Sequence, residues 1–144
     1  LAKYIDSNDV ELLEAAGVPE FKETITIKIE KTLELTNENI NDLLVTAFEG
    51  GINYWCGKVK IKSIPDGADV QYASDVISIG GTLELQDIES PDKWELTLEK
   101  MLKGIKWYCE QNGYTNADDL MDIHDADTAD AIVQYALFDE VVFG

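Results

Sequence analysis

Alternation of apolar and polar residues predicts four β-strands in this chain. The first is 24–35, where Ile25, Ile27 and Ile29 alternate with polar residues. The others are 58–64, 82–88 and 94–98, and a turn-like segment between the last two predicts a hairpin. Lysines at 58, 60 and 62 occupy the polar side of the second strand and form the only basic stripe in the sequence.

Helical spacing of apolar residues predicts three helices in the main body. Thr36 is expected to cap the first, with Asn39 at the capping-box position, and Gly50-Gly51 to end it. The second begins near Leu98 and ends at Gly113, and the third runs over 127–138. We expect 67–80 to be a long loop, 114–125 an acidic connector, and the apolar residues 141–144 to dock on the sheet or helices.

Residues 1–22 are predicted to be a helical appendage, with Ser7 as its cap and Gly17 and Pro19 at its end. The remainder, 23–144, is predicted to be one domain. Short connections and hairpin signals favour an α+β fold, an antiparallel sheet of three to four strands with helices packed on one face.

The net charge of the chain excludes some classes of function. Among the 144 residues, 29 are acidic and 11 are basic, all of them lysine, for a net charge of −18. Such a surface repels DNA, RNA and anionic membranes, so we expect neither nucleic-acid nor membrane binding. The charge is typical of a surface that keeps a protein in solution, and it also suits a basic partner. No apolar run is long enough to span a bilayer.

The chemistry-bearing residues form no catalytic signature. Six aspartates and His124 lie close together in the sequence and raise the possibility of a metal site, but they lack the spacing and turning glycine of a calcium loop. Helix N-terminal acids and a solvated connector explain these residues without a metal, and this is the favoured interpretation. Cys56 and Cys109 are interpreted as buried thiols in a reducing compartment, and we expect no metal and no cofactor. The aspartates are Asp118, Asp119, Asp122, Asp125, Asp127 and Asp130.

Tyr54 and Trp55 follow the glycine pair that ends the first predicted helix, with Glu49 just before it. Aromatic residues at such a position either anchor a ligand or partner, or fill the core between helix and sheet. Both interpretations stay open from the sequence. The candidate binding residues are Glu49, Tyr54, Trp55, Asp122 and Asp125.

Three parts of the chain together resemble a family of small acidic proteins encoded in phages and prophages of gut and other low-GC bacteria. They are residues 47–56 (AFEGGINYWC), 80–83 with 94–100 (GGTL and WELTLEK), and 127–138 with 143–144. The resemblance covers about 25–144, and many members of that family have glycine at the position where this chain has Asp139. It implies a phage accessory protein acting in the cytoplasm of the host bacterium, and it brings no assigned activity.

These observations favour a non-enzymatic protein that acts by stoichiometric binding, as an inhibitor or sequestering factor. Its partner is expected to be a host protein, a basic one on the strength of the charge, or a small signalling molecule. Two alternatives remain: a small metal-dependent hydrolase that uses the Asp/His connector, and a structural or assembly protein that forms homo-oligomers through exposed aromatics and the apolar tail.

Overall fold

The computed structural model describes residues 10–13 and 24–144 of the chain. The chain divides into two compact units, residues 1–32 and 33–144. The predicted boundary lay ten residues earlier, between 22 and 23.

The first unit contains a two-stranded antiparallel sheet. Strand β1 (Val10–Leu13) pairs with β2 (Thr26–Ile29), and Val10 lies opposite Ile29. The prediction of a helix is therefore wrong at 10–13, because these residues pair with β2 as an antiparallel strand. The rest of the predicted 1–22 helix lies outside the described residues. The predicted strand 24–35 is shorter than expected and pairs with β1 instead of joining the main sheet.

The second unit is built on a three-stranded antiparallel sheet in the order β3-β4-β5. Its strands are β3 (Cys56–Ser63), β4 (Thr82–Asp87) and β5 (Lys93–Leu96). Leu83, Leu85 and Leu96 are fully buried on one face of the sheet. Lysines and glutamates line the opposite face, where Lys62 pairs with Glu95 and Lys93 with Glu84. The α+β prediction is thus confirmed, with helices packed against the apolar face.

Four α-helices accompany this sheet. They are α1 (Asn37–Thr46), α2 (Leu98–Asn112), α3 (Ala117–Ile123) and α4 (Ala126–Phe138). The predicted capping box is present: Thr36 Oγ1 accepts from the Asn39 amide, and Asn39 Oδ1 accepts from the Thr36 amide, both at 3.0 Å. A π-helical turn (Ala47–Gly51) continues α1 and leads directly towards the two aromatics at 54 and 55.

Two predicted loops contain more structure than expected. The acidic connector 114–125 includes α3, because Asn116 caps its first turn and Leu120 is completely buried. The predicted loop 67–80 contains a 3₁₀ helix (Ala73–Asp75), followed by the fully buried Val76 and Ile77. Both segments therefore contribute apolar side chains to the core.

Helix α4 lies at the centre of this unit and packs closely against α2 and the π-helical turn. Gly104 of α2 has no room for a side chain, since an added Cβ would collide with the carbonyl of Ile132 in α4. Gly51 meets the start of α4 in the same way, because its Cβ would lie 2.8 Å from the carbonyl oxygen of Ala126. These two contacts fix α4 against its neighbours and so position the side chains that it carries.

Candidate functional site

A buried carboxylate organises the most highly connected polar cluster among the described residues. Asp130 lies on α4 and is 9% exposed. It accepts hydrogen bonds from Tyr54 Oη at 2.5 Å, Trp55 Nε1 at 2.8 Å and Gln134 Nε2 at 2.8 Å. Within the described part of the chain it has no lysine or histidine partner. Three uncharged donors therefore compensate for the water that the carboxylate loses on burial.

Gln134 extends the network from the same face of α4, one helical turn beyond Asp130. Its side chain is completely buried. Oε1 accepts from the backbone amides of Val142 and Phe143, both at 2.7 Å. Nε2 donates to Tyr54 Oη at 3.2 Å and to the Phe143 carbonyl at 3.3 Å. One side-chain amide thus holds the segment that follows α4, and the docking predicted for 141–144 is observed at Phe143.

Aromatic packing also holds the segment that follows α4. Phe143 stacks on Trp55, with ring centroids 5.0 Å apart and planes inclined by 5°. Trp94 and Phe138 complete the group with edge-to-face contacts to Trp55, each at 5.9 Å between centroids. Offset and edge-to-face pairs of this kind stabilise beyond the apolar area that they bury. The indole of Trp55 is only 2% exposed, so Trp55 is a core residue.

Tyr54 lies at the surface of the same network. The residue is 51% exposed, although its hydroxyl is bonded inwards. Desolvation of the hydroxyl, and then its hydrogen bond to the Asp130 carboxylate, raise the pKa of Tyr54 to about 12. The carboxylate of Asp127 acts in the same direction through its charge. The structure therefore presents a neutral, immobilised tyrosine ring on an acidic surface.

The structure separates the remaining predicted site residues from this network. Asp125 is the N-cap of α4, and its Oδ1 accepts from the Thr128 amide at 2.9 Å. The backbone and side-chain hydrogen bonds of Thr128 lower the pKa of Asp125. Asp122 lies exposed on α3, and Glu49 lies exposed on the π-helical turn. Of the five predicted residues, only Tyr54 and Trp55 meet at one cluster.

His124 and Asp119 have structural partners. His124 Nδ1 lies 2.9 Å from the Met121 carbonyl and Nε2 lies 3.2 Å from Thr46 Oγ1. Asp119 accepts from the backbone amide of Thr115. Across the residues that the structure describes, no three His, Cys, Asp or Glu side chains are grouped to hold a metal ion. These contacts place His124 between α1 and α3, where it joins the two helices.

The two cysteines are buried and unpaired, as the sequence indicated. Burial raises the pKa of the Cys56 thiol and of the Cys109 thiol. A thiol is a nucleophile only after it loses its proton, so both cysteines are held in the less reactive form.

Sequence reasoning missed the central pair of the network. Asp130 was considered only as one of several acids, and Gln134 was not singled out. The available signal was their spacing, because polar residues at i and i+4 fall among Ala129, Ile132 and Val133 on the buried face of the helix. Polar groups on such a face need hydrogen-bond partners from other elements.

Comparison with protein-family models, with curated proteins and with solved structures gives no match to this chain. Within the described residues, none of the helices has the length and apolar character required to cross a bilayer.

Proposed function

We propose that this protein acts without catalysis, by stoichiometric binding of a basic protein partner at a surface around Tyr54. The surface comprises Tyr54, Val142 and Asp127. Tyr54 and Val142 are 51% and 53% exposed, and both bond to the side chain of Gln134. The fixed, half-exposed ring of Tyr54 is the observation that carries the proposal.

Immobilisation of Tyr54 reduces the cost of binding. A side chain that is free in solution loses rotamer entropy when a partner orders it, roughly 0.5–1.5 kcal/mol for a flexible residue. The hydroxyl of Tyr54 is already held by Asp130 and Gln134, so much of this entropy is lost during folding. Tyrosine also offers a large contact area with few rotatable bonds, a property common at binding surfaces.

Charge favours a basic partner over other classes. The net charge is −18, and Asp127 is close enough to raise the pKa of Tyr54. A field of this sign accelerates encounters with cationic surfaces and opposes encounters with nucleic acids. An exposed aromatic ring next to a carboxylate also suits a lysine or arginine side chain, whose aliphatic part packs on the ring.

The resemblance to phage and prophage proteins supports a bacterial setting for this activity. We infer an accessory protein that acts in the host cytoplasm as an inhibitor or sequestering factor. The two free thiols suit such a reducing compartment.

The test is capture from a lysate of a low-GC gut bacterium by immobilised protein. We expect a partner to be retained by the wild type, lost with Tyr54→Ala, and released as salt screens the charges. Tyr72→Ala is the matched control, since Tyr72 is 64% exposed and lies outside the network. Equal retention by both variants, or turnover of a substrate by purified protein, would contradict the proposal.

A further inference from the structure

Strand β3 forms an open edge of the main sheet. Within residues 33–144 its only strand neighbour is β4. Seven of its eight residues are exposed or half-buried, and Ile61 is 40% exposed. An edge strand of this length presents a row of backbone donors and acceptors that can pair with another strand.

Lysines give this edge a charge opposite to that of the molecule. Lys58, Lys60 and Lys62 all lie on the face of β3 that points away from the core. Lys62 is paired with Glu95, whereas Lys58 and Lys60 form no ion pair with any described residue. Among the described residues, this edge therefore combines two lysines that form no ion pair with a strand edge that no other strand covers, in a chain with net charge −18.

The pairing of β3 with β4 shows which side chains fit beside those of β3. Glu84 lies opposite Lys60, Leu83 opposite Ile61 and Leu85 opposite Val59. Side chains of a strand project to the two faces of the sheet, so a neighbour on either edge meets the same residues. A strand added at the open edge therefore needs the same alternation of acidic and apolar residues.

We propose that β3 binds an extended acidic segment of a partner protein as an additional antiparallel strand of the sheet. Acidic side chains of that segment lie beside Lys58 and Lys60, and its apolar side chains cover Val59 and Ile61. Two copies of this chain that paired through β3 would bring lysines against lysines, which opposes self-association. The proposal does not depend on the function proposed for the Tyr54 surface.

The first arm of the test measures affinity. The probe is a fluorescent peptide with the sequence of residues 80–89 (GGTLELQDIE), followed by anisotropy at low salt. We expect saturable binding that weakens roughly tenfold in the double variant Lys58→Gln with Lys60→Gln. The control is the double variant Lys31→Gln with Lys106→Gln, at two other exposed positions. It changes the net charge by the same amount, and we expect it to bind the peptide like the wild type.

The second arm distinguishes strand pairing from general charge attraction. Along one edge, a strand uses the backbone groups of alternate residues. One peptide is therefore N-methylated at its two leucines, and another at the glutamate between them and the glutamine that follows the second leucine. We expect one of the two to lose binding and the other to keep it. Equal affinity of both peptides would overturn the proposal.

Two other results would also overturn it. One is the absence of saturable binding to folded wild-type protein. The other is a doubled mass in light scattering that reverts to a single chain in the Lys58→Gln and Lys60→Gln variant, since a second copy would then be the occupant. Tyr54→Ala is expected to bind the peptide like the wild type, so failure of the Tyr54 proposal leaves this test intact.

Discussion

Replacement of Gln134 by methionine tests the central network directly. Methionine has nearly the same size, so the variant removes hydrogen bonds without leaving a large cavity. The wild-type side chain accepts from Val142 and Phe143 and donates to Asp130 and Tyr54. In the variant, the segment after α4 loses its polar attachment, while Phe143 keeps its stacking on Trp55.

The expected cost follows from these contacts. Loss of a neutral hydrogen bond costs about 1 kcal/mol net, and loss of one to a charged group about 1.5–3 kcal/mol. Asp130 retains its bonds from Tyr54 and Trp55, and Val142 is a half-exposed residue whose amide can turn to water, so part of the loss is recovered. We expect the free energy of unfolding to fall by about 3 kcal/mol, a large share of the 5–15 kcal/mol typical of a domain.

Urea unfolding followed by tryptophan fluorescence measures this change, because Trp55 reports on the network itself. Gln111→Met is the matched control, since Gln111 is exposed near the end of α2, and we expect it to lie within about 0.5 kcal/mol of the wild type. A Gln134→Met variant as stable as this control would refute the role assigned to Gln134.

Three further predictions address packing, ionisation and capping. Gly104→Ala should lower the melting temperature and destabilise the fold by about 1–3 kcal/mol, because the added Cβ meets the backbone of α4. Gly50→Ala is the control, since a Cβ added at Gly50 enters open space. Equal melting temperatures of the two variants would contradict this. Tyr54 should ionise near pH 12, seen as a tyrosinate absorbance that the wild type has and Tyr54→Phe lacks. Because the fold favours the neutral form, the contribution of Tyr54 to stability is complete below pH 10 and lost as the pH rises towards 12. The chain has five other tyrosines, so the contradicting result is a difference between the two proteins that titrates near pH 10. Asp125→Ala should lower the free energy of unfolding by about 1 kcal/mol at neutral pH. Because hydrogen bonds from Thr128 lower the pKa of Asp125, the difference in stability between this variant and the wild type, measured by urea unfolding, should fade as the pH falls through that lowered pKa. A difference in stability that is independent of pH would contradict this.

Elements whose signals lie within a few residues could be predicted from the sequence. The capping box of Thr36 and Asn39 locates the start of α1, and strand β4 matches its predicted alternation closely. The prediction of 127–138 for the last helix differs from α4 by one residue. In each case the local pattern and the tertiary contacts favour the same structure.

Features that depend on distant partners were not accessible in this way. The four residues 10–13 are too few to distinguish a helix from a strand by pattern, and pairing with β2 selects the extended form. The role of Gln134 depends on Tyr54, 80 residues away, and on Val142, eight residues away. No local pattern specifies that three such segments converge on one amide. Only part of the candidate site could therefore be predicted from the sequence.

The spacing of Asp130 and Gln134 on α4 also suggests how distant relatives of this chain could be recognised. Removal of either partner leaves the other with an unsatisfied polar group, so substitutions here should occur together. A diverged homologue would then retain a sparse signature: a Tyr-Trp pair, an Asp-x-x-x-Gln some 75 residues later, and a phenylalanine nine residues beyond the glutamine. Joint retention of these scattered residues would reveal common descent where overall identity has disappeared.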